Sequence, residues 1–526
     1  MNKSLKNNYP SIFNDVIGPV MRGPSSSHCA AAVRIGLLVR DIMDGAIQEV
    51  SVEFDPKGSL ASTHESQGSD MGLFAGLLGW DVTDERMTDS LQAIHKAGIH
   101  VDIQIRPIGA EHPNTYRITA CNGQEIHRVT AVSIGGGIIE FIEIDGINVS
   151  ISGDYFETLI FMDADGAPLL AYLKENIPAD EIQLQHGQAS QLVIIKTQQV
   201  IEREVIAGLR FQFAIQSIKQ LSPVLPILSR KDVQVPFTTS EEMLTYNRDR
   251  YLDLGELAIC YESERGAIPH DAVMKKMVQI IGMMQNAIDA GLAGTQYSDR
   301  ILGFQSGGFQ TRMDNHKLID AGVLNRIILY TTALMESKSS MGLIVAAPTA
   351  GACGGLPGAC IGTGNAMGLS SADMARAMLA GGIIGIFISI QATFAAEVGG
   401  CQAECGAGSG MAAAALVTLA GGSAQQAVSA ASMALQNILG MICDPVAKRV
   451  EVPCLGKNVL AASNALACAN MALSDYDPVI PLDEVLDTMN KVGRMLPRAL
   501  CCTGLGGLSI TKTSQDIESR LKGSHG

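Results

Sequence analysis

A mixed α/β N-terminal half joined to an almost wholly helical C-terminal half is what this 526-residue chain predicts, on three observations. Up to residue 226, alternating and β-branched segments recur between glycine turns. Beyond residue 240, apolar residues repeat at three and four. From Lys338 to Asp444 the only intervening charges are Asp373, Arg376, Glu397 and Glu404. The length suits two or three domains. Gly (55) and Met (23) are abundant while aromatics are 5%, which favours close-packed helices over an aromatic-rich β-sandwich.

Residues 1–150 are expected to form an α+β domain. In it, "GPSSSH" is a turn feeding an apolar-periodic helix, with serines where N-caps belong. "QEVSVEF", "HVDIQIRPI", "TYRITACN" and "INVSISG" predict strands. The triple glycine of "SIGGGIIEFIEIDG" marks a turn or a close backbone approach. Residues 151–226 predict a small βαββαβ module: "FETLIFMDA", "PLLAYLKENI", "EIQLQHG", "SQLVIIKTQ", "EREVIAGLR" and "AIQSIKQLSP" in turn. Residues 227–240 read as a linker, and residues 241–526 as an all-α domain. Within the latter, "APTAGACGGLPG" either lets two helices touch or brings N–H groups to an anion.

The charge balance, 38 − 53 = −15, comes without a basic patch or arm and argues against a nucleic-acid partner. The N-terminus shows no apolar run long enough for a signal peptide. Twelve cysteines without such a signal point to a reducing compartment, the cytoplasm. "AMLAGGIIGIFISIQATFAA" is uncharged and as long as a bilayer is thick, so a membrane transport protein is a rival of another class. Missing Lys/Arg-rich loops and Trp/Tyr belts favour central helices of a soluble bundle, with no membrane partner. A homodimer is the expected assembly.

Most cysteines of the helical half need only be buried apolar fillers. Cys401, beside glycines, and Cys443 and Cys454, flanking a Pro-interrupted loop, differ in setting. Their loose spacing lacks the tight pair usual for zinc. Three thiolates suit an iron–sulfur cluster with one open iron, while structural thiols remain the alternative. In the first half, Ser25, Ser26 and Ser27 can hold a carboxylate at a helix start, and His28 can shuttle a proton. An ordinary cap and a surface histidine are the plainer alternative.

Taken together, the motifs resemble the iron–sulfur-dependent L-serine dehydratases along nearly the whole chain. The resemblance rests on "IGPVMRGPSSSHCAAAVRIG", "GSLAS", "QGSD", "HPNT" and "SIGGGIIEF", then "AAPTAGACGGLPG", "GGCQAECGAGSGMAAAA", "CDPVAKRVEVPC" and "GLGGL", in family order. It implies β and α parts fused into one polypeptide, with residues 151–226 as an ACT-like module. It implies a 4Fe–4S cluster held by Cys401, Cys443 and Cys454, and dehydration and deamination of L-serine to pyruvate and ammonia. Ser25, Ser26, Ser27, Asn114 and Ser306 are then expected to bind a small amino-acid substrate, and His28 or His64 to carry protons.

Departures from the family pattern concentrate in the pocket. Gln67 stands where the family has an active-site histidine, which moves the proton role toward His64 or His28. "ILGFQSGG" has lost two serines and keeps Ser306, and Cys501–Cys502 replace a basic–Glu pair. A sister lyase acting on L-cysteine, L-threonine or hydroxyaspartate is therefore an alternative.

Overall fold

The computed structural model describes residues 9–188, 190–297 and 300–523. Its larger sheet has six strands in the spatial order His100–Ile105, Glu49–Phe54, Thr115–Cys121, Ile126–Gly135, Ile138–Ile144, Ile147–Ile151. Only the first pair is parallel. Val50 and Val52, Ile118 and Ala120, and Val129 and Ala131 share one apolar core with helices Ala31–Ile42 and Ser69–Leu77. Strand periodicity of two places them on one face. The longest strand, Ile126–Gly135, is missing from the segments predicted above because its hydrophobic phase is misleading. Ile126 is 65% exposed, whereas His127 is buried against Asp145.

The second sheet runs Ser217–Leu221, Phe156–Met162, Gln191–Thr197, Glu181–His186, all antiparallel. With helices Ala167–Asn176 and Arg203–Gln212 it gives the element order βαββαβ. Its central strands are buried on both faces. Ile160, Met162, Val193 and Ile195 pack under the two helices, while Leu159, Phe161, Leu192 and Ile194 join the core of the larger sheet. The segment after it, without helix or strand as far as Thr239, is nonetheless fixed. Asn14 pairs with both backbone groups of Ile227, donating to its carbonyl (2.7 Å) and accepting from its N–H (3.0 Å). Arg265 holds Leu228 and Ser229, and Phe237 is buried.

The C-terminal half is helical among the described residues, apart from Ile344–Val345. At its centre lies Cys405–Leu419, every residue of which is buried. Helices Gly355–Met367, Ser371–Gln391, Ala424–Gln436 and Cys454–Leu473 surround it. Ser371–Gln391 is the one described helix long and apolar enough to cross a membrane; 78% of its apolar window is buried inside the protein.

The chain start is stitched into this helical body. Ile12, Phe13, Val16, Ile17 and Met21 sit in its core, and Val20–Met21 pairs with Ile344–Val345. Glu262 accepts from Ser11 Oγ (2.5 Å) and the Ile12 N–H (2.7 Å). At Gly135 (φ 110°) both expected uses of the triple glycine coincide. The turn needs a left-handed φ, and a Cβ there would stand 2.9 Å from the Ala395 nitrogen.

Asn14→Ala strands a buried N–H and a buried carbonyl of Ile227. It is expected to cost on the order of 3 kcal/mol, read as a lower denaturant midpoint at unchanged slope.

Candidate active site at the domain seam

The cysteine turns meet the GPSSSH turn where the two halves touch. Cys401 opens the short turn Cys401–Ala403, anchored by Gln402. The Gln402 N–H donates to Met441 O (3.0 Å), its Nε2 donates to Met489 O (2.8 Å), and its Oε1 accepts from the Gly440 N–H (2.9 Å). Cys443 follows in a non-helical loop, its N–H donating to Leu500 O (2.8 Å). Cys454 begins the helix Cys454–Leu473 directly after Pro453.

Donor atoms of Cys401, Glu404 and Cys443 lie within 4.8 Å of one another. Cys443 also packs in one buried cluster with Cys401 and Cys502. Cys454 falls outside the 4.8 Å group but interacts electrostatically with Cys401. The neighbouring thiols of Cys401 and Cys502, then burial, push the Cys443 thiol well up; burial and the neighbouring Cys401 do the same to Cys454. Burial and the charge of Glu397 push Glu404 up to about 7, against the hydrogen bond from Thr349 Oγ1 (2.7 Å). Two cations serve the group: Lys457 Nζ lies 3.7 Å from Cys401 Sγ and 2.8 Å from Asp444 Oδ1, and the charge of Lys338 acts on Glu404 and Cys454. Burial opposes the charge of Lys457, but Cys401 and Asp444 outweigh that and raise its pKa. Such a donor set is costly to ionise unaided and is suited to a metal cation, which deprotonates its thiols on binding.

The expected capping serines do something else. Ser25 makes no side-chain cap bond. Ser26 Oγ accepts from the Ala350 N–H (3.2 Å), and Ser27 Oγ donates to Glu397 Oε1 (2.8 Å). His28, expected at a surface in the plainer reading, is 0% exposed. Its Nε2 lies 2.9 Å from Thr63 Oγ1, whose own proton goes to Ser59 O (2.7 Å), so Nε2 carries the ring proton. Nδ1 is then the free base, 3.2 Å from Ser25 Oγ and Ser27 Oγ and 3.5 Å from Glu397. Burial lowers the pKa of His28; Glu397 opposes that shift and His64 adds to it.

Two polar groups at this seam lack hydrogen-bond partners. Asn114 is fully buried, with both Oδ1 and Nδ2 unpartnered, and so is Glu397 Oε2. They are linked through Ser133, whose N–H donates to Asn114 O (3.0 Å) and whose Oγ donates to Ser27 O (2.7 Å). A buried amide and a half-satisfied carboxylate are an arrangement that a polar ligand completes.

Other expected residues stand further off. His64 Nδ1 is 2.8 Å from Asp70, and its ring lies against Phe54. Burial lowers its pKa, but the hydrogen bond and charge of Asp70, with Glu65, raise it overall. Ser306 is buried and donates to Glu336 Oε2 (2.6 Å). Gln67 Nε2 points to Cys502 Sγ (3.6 Å) and Lys448 O (3.5 Å).

Motif reading singles out none of Glu397, Glu404, Lys457 and Asn458, and names Cys502 only as one of an altered pair; all five lie at the seam. The two glutamates had a visible signal, as charges in a nearly charge-free stretch. Asn458 had none. Its Oδ1 takes the Gly354 and Gly355 N–H groups (3.1 and 2.9 Å), while Nδ2 donates to Gly351 O (2.8 Å) and Cys454 O (2.9 Å). The glycine-rich turn thus serves packing, and a Cβ at Gly358 would stand 2.3 Å from Thr331 Oγ1.

Both halves of the chain are similar in sequence to known proteins. The family model described as serine dehydratase beta chain matches residues 15–143, and that of the serine dehydratase alpha chain matches residues 188–509. A probable L-serine dehydratase alpha chain of Bacillus subtilis is 33% identical over 287 residues, 55% of this chain and 96% of that protein. An L-serine dehydratase of Helicobacter pylori is 26% identical over 501 residues, 93% of this chain and 96% of its own. A probable beta chain from Bacillus subtilis is 38% identical over 152 residues, 29% of this chain and 68% of that one.

Raised thiol pKa values and burial predict that metal-free protein alkylates slowly at Cys443 and Cys454. At pH 8, iodoacetamide labelling read by peptide mass spectrometry is expected to be at least about tenfold slower there than for an unperturbed thiol.

Proposed function

This chain belongs to the serine dehydratase family, its beta-type and alpha-type parts fused in that order, and from that premise we propose that it dehydrates and deaminates L-serine to pyruvate and ammonia. One observation carries the reading: a buried thiol cluster adjoins a buried neutral histidine and two unpartnered polar groups at a single seam. The donor set fits a 4Fe–4S cluster held by Cys401, Cys443 and Cys454, since soft thiolates on three turns of a buried site suit iron–sulfur ligation. Bound there, the cluster supplies a Lewis acid that makes the β-hydroxyl a better leaving group.

The remaining work falls to the chain's own side chains. Asn114 Nδ2, with Ser25, receives the substrate α-carboxylate, and Glu397 Oε2 receives the α-ammonium. His28 Nδ1 removes the Cα proton, for which its lowered pKa keeps it neutral. Ser27 and Glu397 then steady the imidazolium that forms. Elimination leaves an aminoacrylate, which tautomerises to the imine and is hydrolysed by water to pyruvate and ammonia. Twelve unpaired cysteines match operation in a reducing cytoplasm. We assign the working form as a homodimer on general grounds.

The Gln67–Cys502 contact favours a second reading, in which the altered pocket accepts another β-substituent such as the thiol of L-cysteine. An anaerobic panel of L-serine, L-threonine, L-cysteine and hydroxyaspartate, scored for keto acid and ammonia, separates the two. Turnover confined to L-cysteine would overturn the serine assignment.

Cys443→Ser is expected to abolish iron retention after anaerobic reconstitution, whereas Cys468→Ser retains it; equal iron contents would refute the ligand choice. His28→Asn is expected to lower kcat by roughly 10²–10⁴-fold. Because the folded protein holds His28 below its ordinary value, the acid limb of kcat/KM is expected below about pH 6.5. A limb above that value would exclude His28 as the base. The same depression means that protonating His28 destabilises the fold as the pH drops below that value.

A further inference from the structure

We propose that a cavity between the sheet domain and helix His270–Ala293, separate from the seam, is a binding site for a small monocarboxylate with an apolar body. The cavity has a volume of about 440 Å³. Three parts of the chain wall it. Arg34 and Leu37 come from helix Ala31–Ile42, residues 223–226 from the segment after the second sheet, and Lys276, Ile280 and Met283 from helix His270–Ala293. Mostly apolar walls with a few converging polar groups, at this size, are what a small-molecule site requires. None of the thiols, serines or histidines of the seam lines it.

Two cations line the cavity without an ion-pair partner among the described residues. Arg34 is 3% exposed, and its Nη1 donates to Gly137 O (2.6 Å). That bond uses one of five N–H donors, and the buried Nε has no hydrogen-bond partner. Asp15 and Asp81 act on the guanidinium only through their charge, and burial outweighs them, pushing its pKa down to about 10. Lys276 Nζ lies 5.4 Å from the centre of the Phe13 ring. Burial lowers its pKa too, opposed only by the charge of Glu262. Two desolvated cations are costly to keep, and an anion placed between them offsets that cost.

Charge and shape select the anion. Asp81 also lines the cavity, so its walls carry two positive charges and one negative. One negative charge balances them, which favours a carboxylate over a doubly charged phosphate. A guanidinium fork pairs with a carboxylate through parallel N–H bonds, and Leu37, Ile280 and Met283 leave the rest of the ligand an apolar bed. A ligand so placed bridges sheet domain, connecting segment and helical body, and therefore stabilises their contact.

Isothermal titration calorimetry on the anaerobically reconstituted full chain tests this. 4-Methyl-2-oxopentanoate and L-leucine present the same carboxylate and apolar body. Wild type is expected to bind at least one of them saturably and to unfold at a higher temperature in its presence. The tighter of the two identifies the source as an oxo acid or an amino acid. Uncharged 4-methylpentanamide and dianionic isopentyl phosphate are expected to bind at least about tenfold more weakly. Lys276→Met is expected to weaken carboxylate binding by a similar factor. Met283→Trp, at a position 38% exposed, fills the mouth and is expected to abolish it. Binding of neither carboxylate overturns the proposal, as does undiminished binding by Lys276→Met. Tighter binding of the phosphate, or displacement by saturating L-serine, also overturns it. Should Met283→Trp not fold, Lys276→Met decides alone. The readout is heat of binding rather than turnover, so its failure leaves the L-serine assignment standing.

Discussion

A 2.8 Å hydrogen bond from Ser27 to Glu397 joins residues 370 apart in sequence, and the site depends on it. It occupies one carboxylate oxygen and leaves the other unpartnered within the protein. It sets a negative group beside His28 Nδ1, opposing the effect of burial on that ring. It also fixes the approach of the sheet domain to the turn that carries Cys401, four residues further along. Contacts of Ser26 with Ala350 and of Gln67 with Cys502 tie the same two halves together.

Placing carboxylates in such surroundings is expensive, since an ion taken from water must be compensated by neighbours. The stretch between Lys338 and Asp444 keeps only four charges, and their uses divide cleanly. Asp373 caps its helix through Ser370, and Arg376 pairs with Asp253, both near the surface. Glu397 and Glu404 lie beside the thiols instead, where Glu404 is driven toward its neutral form. Stability alone does not account for two acidic groups and four thiols gathered near Lys457 and Lys338. A cation bound among them would, because it would reverse the electrostatic cost of every member of the set.

Much of the architecture was legible from pattern. Helical repeats, small-residue stretches and the βαββαβ order follow from periodicity, which burial enforces along each element. Ile126–Gly135 escaped because tertiary pairing buries His127 through Asp145 and leaves Ile126 outside, against hydropathy. Ser25–Ser27 read as caps because serine before a helix normally is one. Here contacts from elements more than 300 residues away claimed Ser26 and Ser27. Cys401 and Cys443 stood out by glycine and proline context, and the structure brings them together with Glu404. Cys502 lacked such context, since only a left-handed turn and pairing to Cys443 carry it into the group. Long-range positioning of that kind leaves no local trace in a sequence.

The same logic explains why Cys401, Cys443 and Cys454 sit at helix interruptions or ends rather than in helix interiors. Cys405–Leu419 is enclosed on all sides, so its interior positions are spent on packing and offer no room for a ligand. Space exists only where helices stop, and there the chain must be held by other means. Gln402 holds the Cys401 turn, and Asn458 ties the helix of Cys454 to the glycine-rich turn. Asp444 holds the loop after Cys443 by accepting from Lys457 and from the Leu508 N–H (3.0 Å). At Gly507 (φ 58°) a Cβ would stand 2.6 Å from Asp444, so glycine is required for that last contact. Close helix packing therefore forces the reactive groups to the seam, and a few amide and carboxylate side chains give those irregular turns the rigidity that helices would otherwise supply.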